Sequence, residues 1–515
     1  MRTLIRASWV VGFDGQSHVL IRDGVVAYED DTIIAVGHQF DGQVDRTVDA
    51  TNCLVSPGLI NCHLHFGSNA RHIFLLDATR ADFFGSNFLA YSVGKRGVPD
   101  PPDQPTAAPD QRFGLWAAIR GGATTIMDVG TRNPEGVVAL AGELGARVYI
   151  GPRFRTWTYG WDERGHMTWD PDPASGEAGL QRAVDFAKQH DGAHGGRVRC
   201  LLVPAQLDTC SPDLLKATRR AASDNGLRVT LHAAMNLVEF HRILREYGQT
   251  PIELLDSIGF LGPDVLLGHC VFHNNHSWVH YPYTDDLQRL ADSGASVAHA
   301  PFKYLKMGIA LESFSRYRQK GINLALGTDT YPEDLVREMR YAALMCRLAD
   351  GSFRVGTPRE VFDAATLGGA RALGRDDLGR LAPGARADLL VFDLHKMHFG
   401  AVHDPIKALV DGGDASDIRT LIVNGQTLIE DHRAVVIDES RLLSEAQAAA
   451  EKMWASTPGW HWNRATTDDL APMSYPVMEA EPAQALDCGH YLPEEAPDAT
   501  AAALAAFFRP SSTTG

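Results

Sequence analysis

Two histidines one residue apart, His63 and His65, close the apolar run Val55-Ser56-Pro57-Gly58-Leu59-Ile60-Asn61-Cys62-His63-Leu64-His65-Phe66. Side chains alternate faces along a strand, so positions i and i+2 point the same way and both imidazoles face one spot, as a metal clamp requires. The ordinary alternative is a pair of histidines on a solvated strand face. Apolar flanks argue against it, and two imidazoles buried together without a ligand would be costly. Three further residues of matching chemistry end apolar runs elsewhere: His232 after Val229-Thr230-Leu231, His269 after Leu266-Leu267-Gly268, and Asp329 after Leu326-Gly327-Thr328. One buried histidine is more often a satisfied core residue than a ligand. Five such residues at the ends of runs form a set. Neutral imidazoles with one carboxylate suit Zn²⁺, or Fe²⁺, Co²⁺ or Mn²⁺, and leave a position open for water. Such an ion lowers the pKa of that water from about 16 toward about 7. In this reading His63, His65, His232 and Asp329 hold a divalent ion, Zn²⁺ in the first place. Asp329 also receives the proton of the water and passes it to the leaving group, while His269 orients the nucleophile or polarises the electrophilic carbon.

The elements that position these residues are strands. Apolar runs recur at residues 59–66, 123–129, 147–150, 198–203, 228–233, 265–270, 295–299 and 323–328, and the segments 179–189, 212–224 and 237–247 between them carry amphipathic helical spacing. Eight strand-like runs alternating with helices predict an α/β fold, a (β/α)8 TIM-like barrel with right-handed crossovers. Chemistry in such barrels sits at the C-terminal ends of the strands, where all five candidates fall. Before residue 57 the chain reads as short strands at 6–11, 18–22, 25–29, 32–36 and 46–49, with Asp14-Gly15 and Asp23-Gly24 as tight turns. A matching pair returns at 387–393 and 419–425, so the two ends of the chain are expected to meet in one small β-domain. The expected division is 1–56 and 376–440 for the two halves of that domain, 57–375 for the barrel, and 441–515 for a C-terminal helix and tail. The tail turns polar and Pro/Ala-rich after a helix-like run at 441–454; it is either partly disordered or wraps a neighbouring subunit.

Composition sets limits on partners. The 515 residues carry a net charge of −16, which argues against a nucleic-acid partner, since phosphate affinity comes mainly from Lys and Arg. No window approaches the roughly 18 apolar residues that span a bilayer. The opening segment lacks an apolar core with a cleavage site and reads as a strand rather than a secretion signal. Seven cysteines, odd in number and without paired spacing, fit a reducing cytoplasm. Cys62 and Cys270, each beside a candidate histidine, read as small buried strand residues.

Residues 55–66 resemble the signature of the amidohydrolase superfamily, in which Pro-Gly and an apolar run lead into His-x-His. Gly384-Ala385-Arg386-Ala387-Asp388-Leu389 is similar to the usual entry into the C-terminal half of that family's β-sandwich, which is built from both termini. Val297-Ala298-His299-Ala300-Pro301, Leu305-Lys306-Met307-Gly308 and Glu338-Met339-Arg340-Tyr341-Ala342-Ala343-Leu344 echo the triazine-hydrolase and nucleobase-deaminase branch. The resemblance implies a hydrolase and, commonly, a homo-oligomer. Binuclear members carry a carboxylated Lys or a Glu on the fourth strand; here Arg199-Cys200-Leu201-Leu202-Val203-Pro204-Ala205-Gln206 has neither, which favours one metal. Deaminases of the branch carry a Glu three residues beyond the fifth-strand histidine. Met235 stands there in this chain, with Glu239 the next carboxylate, so Glu239 or Asp329 would have to serve in its place.

Three long loops are dense in aromatics: 67–112 with Phe74, Phe83, Phe84, Phe88 and Tyr91; the loop after Gly151-Pro152 with Trp157, Tyr159, Trp161, His166 and Trp169; and 271–285 with His273, His276, Trp278, His280, Tyr281 and Tyr283. They read both as satellite cores and as the lining of a pocket. Trp157, Tyr159, Met235 and His299 are the candidate substrate contacts, His299 having the alternative of a structural bond to Asp329. Lys303 and Lys306 read as solvated loop charges. The expectation is a mononuclear metal-dependent hydrolase of a C–N or similar C–heteroatom bond (amide, urea or carbamate) in a small, mostly neutral, aromatic or N-alkyl compound. The rivals are a deaminase of a purine-, pyrimidine- or triazine-like ring and a non-catalytic scaffold, which eroded ligands would mark.

Overall fold

The computed structural model describes residues 1–67, 69–76, 108–131, 133–162, 166–309, 311–312, 314–461, 464–477 and 497–507. Phe83, Phe84, Phe88, Tyr91, Trp462 and the last residues of the tail lie outside them, as does the side chain of Trp161.

The chain opens with β1 (Arg2–Phe13), β2 (His18–Glu29), β3 (Thr32–Gly37) and β4 (Arg46–Pro57). Asp14-Gly15 makes the turn its residue types demand: Gly15 has φ 101° and the Asp14 amide donates to Ser17 O at 3.1 Å. Asp23-Gly24 does not turn the chain. β2 runs through it in unbroken antiparallel register with β1, and the tolerance of Asp for positive φ (49° at Asp23) serves a kink inside one long strand.

Then come β5 (Leu59–Leu64), β6 (Ala123–Asp128), β7 (Arg147–Ile150), three short strands β8 (Arg153–Phe154), β9 (Trp157–Trp161) and β10 (Met167–Pro171), and β11 (Val198–Pro204), β12 (Arg228–Ala233), β13 (Val265–His269), β14 (Ser296–His299) and β15 (Asn323–Leu326). Leaving out the inserted β8–β10, these strands pair in chain order and in parallel, from β5 to β15. The ring closes at the site itself. The Asp329 amide donates to His63 O and the His65 amide to Asp329 O, both at 2.8 Å, in a parallel bridge between Leu64 and Asp329. Helices on the outside start and stop where their caps dictate. Ser211 accepts from the Leu214 amide ahead of Pro212–Asn225, Asn236 accepts from the Glu239 amide ahead of Leu237–Tyr247, and left-handed Gly226 and Gly248 end the two helices.

The second layer of strands is a mixed sheet from both ends of the chain, completed by β16 (Leu389–Asp393), β17 (Ile418–Val423), β18 (Gln426–Glu430) and β19 (Arg433–Ala434) in the order β19-β18-β17-β16-β4-β1-β2-β3. Its edge strand β3 returns to the segment that enters β16, with the Ile33 amide donating to Ala385 O and the Gly384 amide to Ile33 O, both at 2.8 Å. The sheet thus curls over a core of its own, including Ile5, Val10, Val26, Ile33, Val55, Leu389 and Val391. Helix Glu439–Ala455 follows, and its first residue accepts hydrogen bonds from Trp116 Nε1 and Arg120 Nη2 at 2.6 and 2.7 Å. Residues Met1–Ala471 form one compact unit and Pro472–Gly515 a second, in which helix Pro497–Phe507 is described. No helix among the described residues is long and apolar enough to cross a membrane.

Candidate metal centre

His63 sits on the last turn of pleat of β5 and His65 just past its end, His232 and His269 near the ends of β12 and β13, and Asp329 in the loop three residues after β15. The potential ligand atoms of His63, His65 and His232 lie within 4.8 Å of one another, as do those of His63, His269 and Asp329. His65 Nε2 and His232 Nε2 are 3.2 Å apart. From Asp329, Oδ2 is 3.3 Å from His269 Nε2 and 3.8 Å from His63 Nε2, and Oδ1 is 3.8 Å from His65 Nε2. Two donors about 2.1 Å from a tetrahedral ion stand about 3.4 Å apart, so these spacings suit a shared cation.

The chemistry of the donors fits as well. His232 Nδ1 lies 2.7 Å from Ala205 O; its proton is placed there, which leaves the Nε2 lone pair facing His65. Both ring nitrogens of His63 and of His269, and Oδ1 of Asp329, are buried with no hydrogen-bond partner among the described residues. Orphaned buried polar atoms are rare, and His63 Nε2, His269 Nε2 and Asp329 Oδ1, gathered in one cluster, mark a place built for a ligand. Burial pushes His63 and His65 down to about 3 and His232 and His269 well below the usual imidazole range, so all four are neutral, lone-pair donors at pH 7. Burial alone would raise the Asp329 carboxyl. The charge and hydrogen bond of Lys303, with smaller contributions from His65 and His63, together outweigh it and hold the group well below the usual carboxylate range. His65 keeps 25% of its side chain exposed while His63 and Asp329 keep 1% and 0%, which places the open side of the cluster at His65.

The candidate substrate contacts have a different placement. Tyr159 Oη donates to Asp208 Oδ1 at 3.1 Å, and the Trp157 ring lies under the Arg242 guanidinium at 4.7 Å. Both therefore brace the β9–β10 hairpin. Met235 is buried behind the end of β12, its carbonyl accepting from Tyr304 Oη at 3.1 Å, and its side chain brings no acid to the site. Glu239 is committed elsewhere: its carboxylate accepts from the Ala234 and Met235 amides at 2.7 and 3.0 Å and fixes the left-handed turn at Ala234. His299 is buried with its ring 5.9 Å from that of Phe314; the ion pairs of Asp329 among the described residues go to His63, His65, His269 and Lys303.

Three residues of the site lie outside the expected set. Lys303, expected in solvent, is 16% exposed and hydrogen-bonds Asp329 Oδ2. Asp128, at the end of β6, accepts from the Phe66 and Gly130 amides at 2.9 and 3.1 Å and so positions the backbone just after His65; burial pushes its carboxyl up to about 7. Asn61 accepts from the His63 and Thr328 amides, each at 3.3 Å, and donates to Thr328 Oγ1 at 2.8 Å, tying β5 to the loop that carries Asp329. For Asp128 a signal was present: a lone carboxylate ending an apolar run, the pattern that marked Asp329.

Comparison with known proteins agrees with this geometry. Residues 54–428 match the Amidohydrolase family. The chain is 30% identical over 442 residues to a 5'-deoxyadenosine deaminase of Methanosarcina mazei, covering 84% of this chain and 94% of that one. It is 31% identical over 432 residues to a 5-methylthioadenosine/S-adenosylhomocysteine deaminase of Natronomonas pharaonis, covering 83% and 93%. Among solved structures it is similar to an atrazine chlorohydrolase from Arthrobacter aurescens TC1 complexed with zinc, with TM-score 0.71, 27% identity, and coverage of 87% of this chain and all of that one (100%). A closed parallel barrel with an imidazole and carboxylate cluster at its strand ends, matched over most of its length, leaves one assignment: the chain belongs to the amidohydrolase family, metal-dependent hydrolases acting on C–N bonds.

Proposed function

We propose that one divalent ion, Zn²⁺ in the first place, is held by His63, His65, His232 and Asp329, and that the chain hydrolyses a C–N bond of a small, mostly neutral, aromatic or N-alkyl compound. The observation that supports this is the clustering of the ligand atoms of His63, His65, His232, His269 and Asp329, with those of His63 and His269 and Oδ1 of Asp329 lacking any hydrogen-bond partner among the described residues. When bound, the ion would supply a water acidified enough to act as nucleophile at neutral pH. Asp329, kept ionised, accepts the proton of that water and returns it to the departing group. His269, with Nε2 3.3 Å from Asp329 Oδ2, orients the nucleophile or polarises the atom bonded to the reacting carbon. Trp157, Tyr159, Met235 and His299 remain our candidates for the substrate side. His232→Ala or Asp329→Ala is expected to lose bound metal and turnover together, read by metal analysis and by assay on the same preparation; turnover that survives metal loss overturns the reading.

A second reading is favoured by the relatives: two are deaminases of adenine nucleosides by name, and a structural neighbour acts on a triazine. An aminohydrolase of such a ring would release ammonia or an alkylamine. Met235 in place of a carboxylate, with Glu239 tied to backbone amides, favours leaving groups that need less protonation. An ammonia-coupled assay over purine and triazine rings, beside amides, ureas and carbamates, separates the two. We further infer a homo-oligomer and a cytoplasmic location, the latter supported by the six cysteines among the described residues, which are buried and unpaired. We also keep the division into 1–56, 57–375, 376–440 and 441–515.

A further inference from the structure

We propose that Lys303 sets the metal affinity of the site by competing with the divalent ion for Asp329; this rests on the reading of Asp329 as a ligand. Lys303 lies on the short helix Pro301–Lys306 that follows β14. That helix is fixed from two sides: the Phe302 amide donates to buried Glu338 at 3.2 Å, and Lys306 Nζ donates to Tyr331 O at 2.8 Å, two residues past Asp329. Tyr304 on the same helix packs its ring 5.2 Å from that of His269. Lys303 is thereby delivered to the cluster rather than to solvent. Its ammonium hydrogen-bonds Asp329 Oδ2, the oxygen that also faces His63 and His269.

A buried carboxylate takes a cation partner, and here two cations have a claim on one carboxylate, Lys303 holding Oδ2 while Oδ1 has no hydrogen-bond partner among the described residues. An ammonium on Oδ2 and a dication on the same carboxylate repel each other across a few ångströms of dry interior, so loading the site weakens the Lys303 contact. Whatever Lys303 contributes to Asp329 is then subtracted from metal binding, and by reciprocity the metal weakens the Lys303 contact by the same factor. Couplings of this kind change affinity on the order of 5–150-fold. Lys303 is a positioning residue in this account. It keeps Asp329 in place before loading and tunes how readily the ion is taken up.

The test uses the full chain, stripped with a chelator and titrated with Zn²⁺ against a chromophoric competitor. Lys303→Met is expected to bind Zn²⁺ on the order of 5–150-fold more tightly than the natural chain. Its stripped form should melt at lower temperature than the stripped natural chain, with the gap closing or reversing once Zn²⁺ is added. Lys303→Arg keeps the charge and should restore weaker binding. Equal or weaker Zn²⁺ binding by Lys303→Met overturns the proposal, because it would mean that Lys303 keeps its bond beside the ion or itself helps to hold it. Zn²⁺ bound by neither chain refutes the metal reading instead. Lys303→Gln, titrated the same way, replaces Lys303→Met should the latter not fold when stripped.

Discussion

His63 can occupy the barrel interior only because two neighbours are glycines. A Cβ built on Gly268 would lie 2.4 Å from His63 Cε1 and 2.6 Å from its Nδ1, and one built on Gly327 would lie 2.5 Å from His63 Cβ and 2.7 Å from its backbone nitrogen. These are the glycines of Leu267-Gly268-His269 and Leu326-Gly327-Thr328-Asp329, so the residues beside two site side chains make room for a third. The consequences of filling them differ. Gly268→Ala meets the imidazole ring, which can rotate at the expense of its aim. Gly327→Ala meets backbone as well and must spread β15 from β5. Overpacking of this kind costs about 1–3 kcal/mol. Gly268→Ala is therefore expected to fold with lowered metal content, and Gly327→Ala to lose both metal and melting temperature. Full metal content and unchanged turnover in Gly268→Ala would show that the ring has slack not visible in these distances.

At the scale of elements, the β9–β10 hairpin is held by one acid and one guanidinium outside it. Asp208 accepts from Tyr159 Oη and Trp169 Nε1, each at 3.1 Å, while Arg242 donates to the Asp208 carbonyl and lies over the rings of Trp169 and Trp157 at 4.3 and 4.7 Å. Desolvated cation–π contacts and a buried hydrogen bond together contribute on the order of 2–4 kcal/mol. Arg242→Ala is expected to speed amide exchange through residues 157–171 while β5, β6 and β13 stay protected; unchanged exchange there would assign the hairpin's stability to its own strands. This bracing also shows what a sequence can and cannot display. The eight barrel strands were legible because parallel strands buried on both faces read as continuous apolar runs, and His63, His232, His269 and Asp329 stood out as polar residues ending them. Asp208 and Arg242 could not be paired with Trp157 and Tyr159, because no periodicity links a loop to helices far along the chain. Lys303 reads as a solvated loop charge, because nothing in Pro301-Phe302-Lys303-Tyr304 shows that the short helix it lies on turns its side chain toward Asp329. Asp23-Gly24 has the residue types of a turn, yet whether the chain turns there depends on β1 pairing along the whole length of β2.

For the molecule as a whole, the barrel and the terminal sheet are locked by an ion pair neither could bury alone. Arg147 on β7 and Asp388 just before β16 are 2% and 3% exposed, with Nε to Oδ2 at 2.8 Å and Nη2 to Oδ1 at 3.1 Å, and Arg147 Nη2 also donates to Asn424 Oδ1 at 3.0 Å. Asp388 serves both sides, since its carbonyl accepts from the Gly58 amide at 2.9 Å where β4 hands over to β5 and its carboxylate accepts from the Asn424 amide at 2.6 Å. The pair thus sits where the chain passes from one layer to the other, at the N-terminal end of the barrel and away from the metal cluster. Removing one partner of such a pair leaves an uncompensated buried charge, which costs about 3–5 kcal/mol, whereas replacing both by apolar groups of similar volume is often close to neutral. Asp388→Leu is therefore expected to lower stability in urea by about 3–5 kcal/mol, and Arg147→Met combined with Asp388→Leu to recover most of that loss. The shortfall left in the double variant measures the hydrogen bonds to Asn424 rather than the charges. If the double variant is as unstable as Asp388→Leu alone, the junction depends on the geometry of those polar contacts rather than on apolar packing between barrel and sheet.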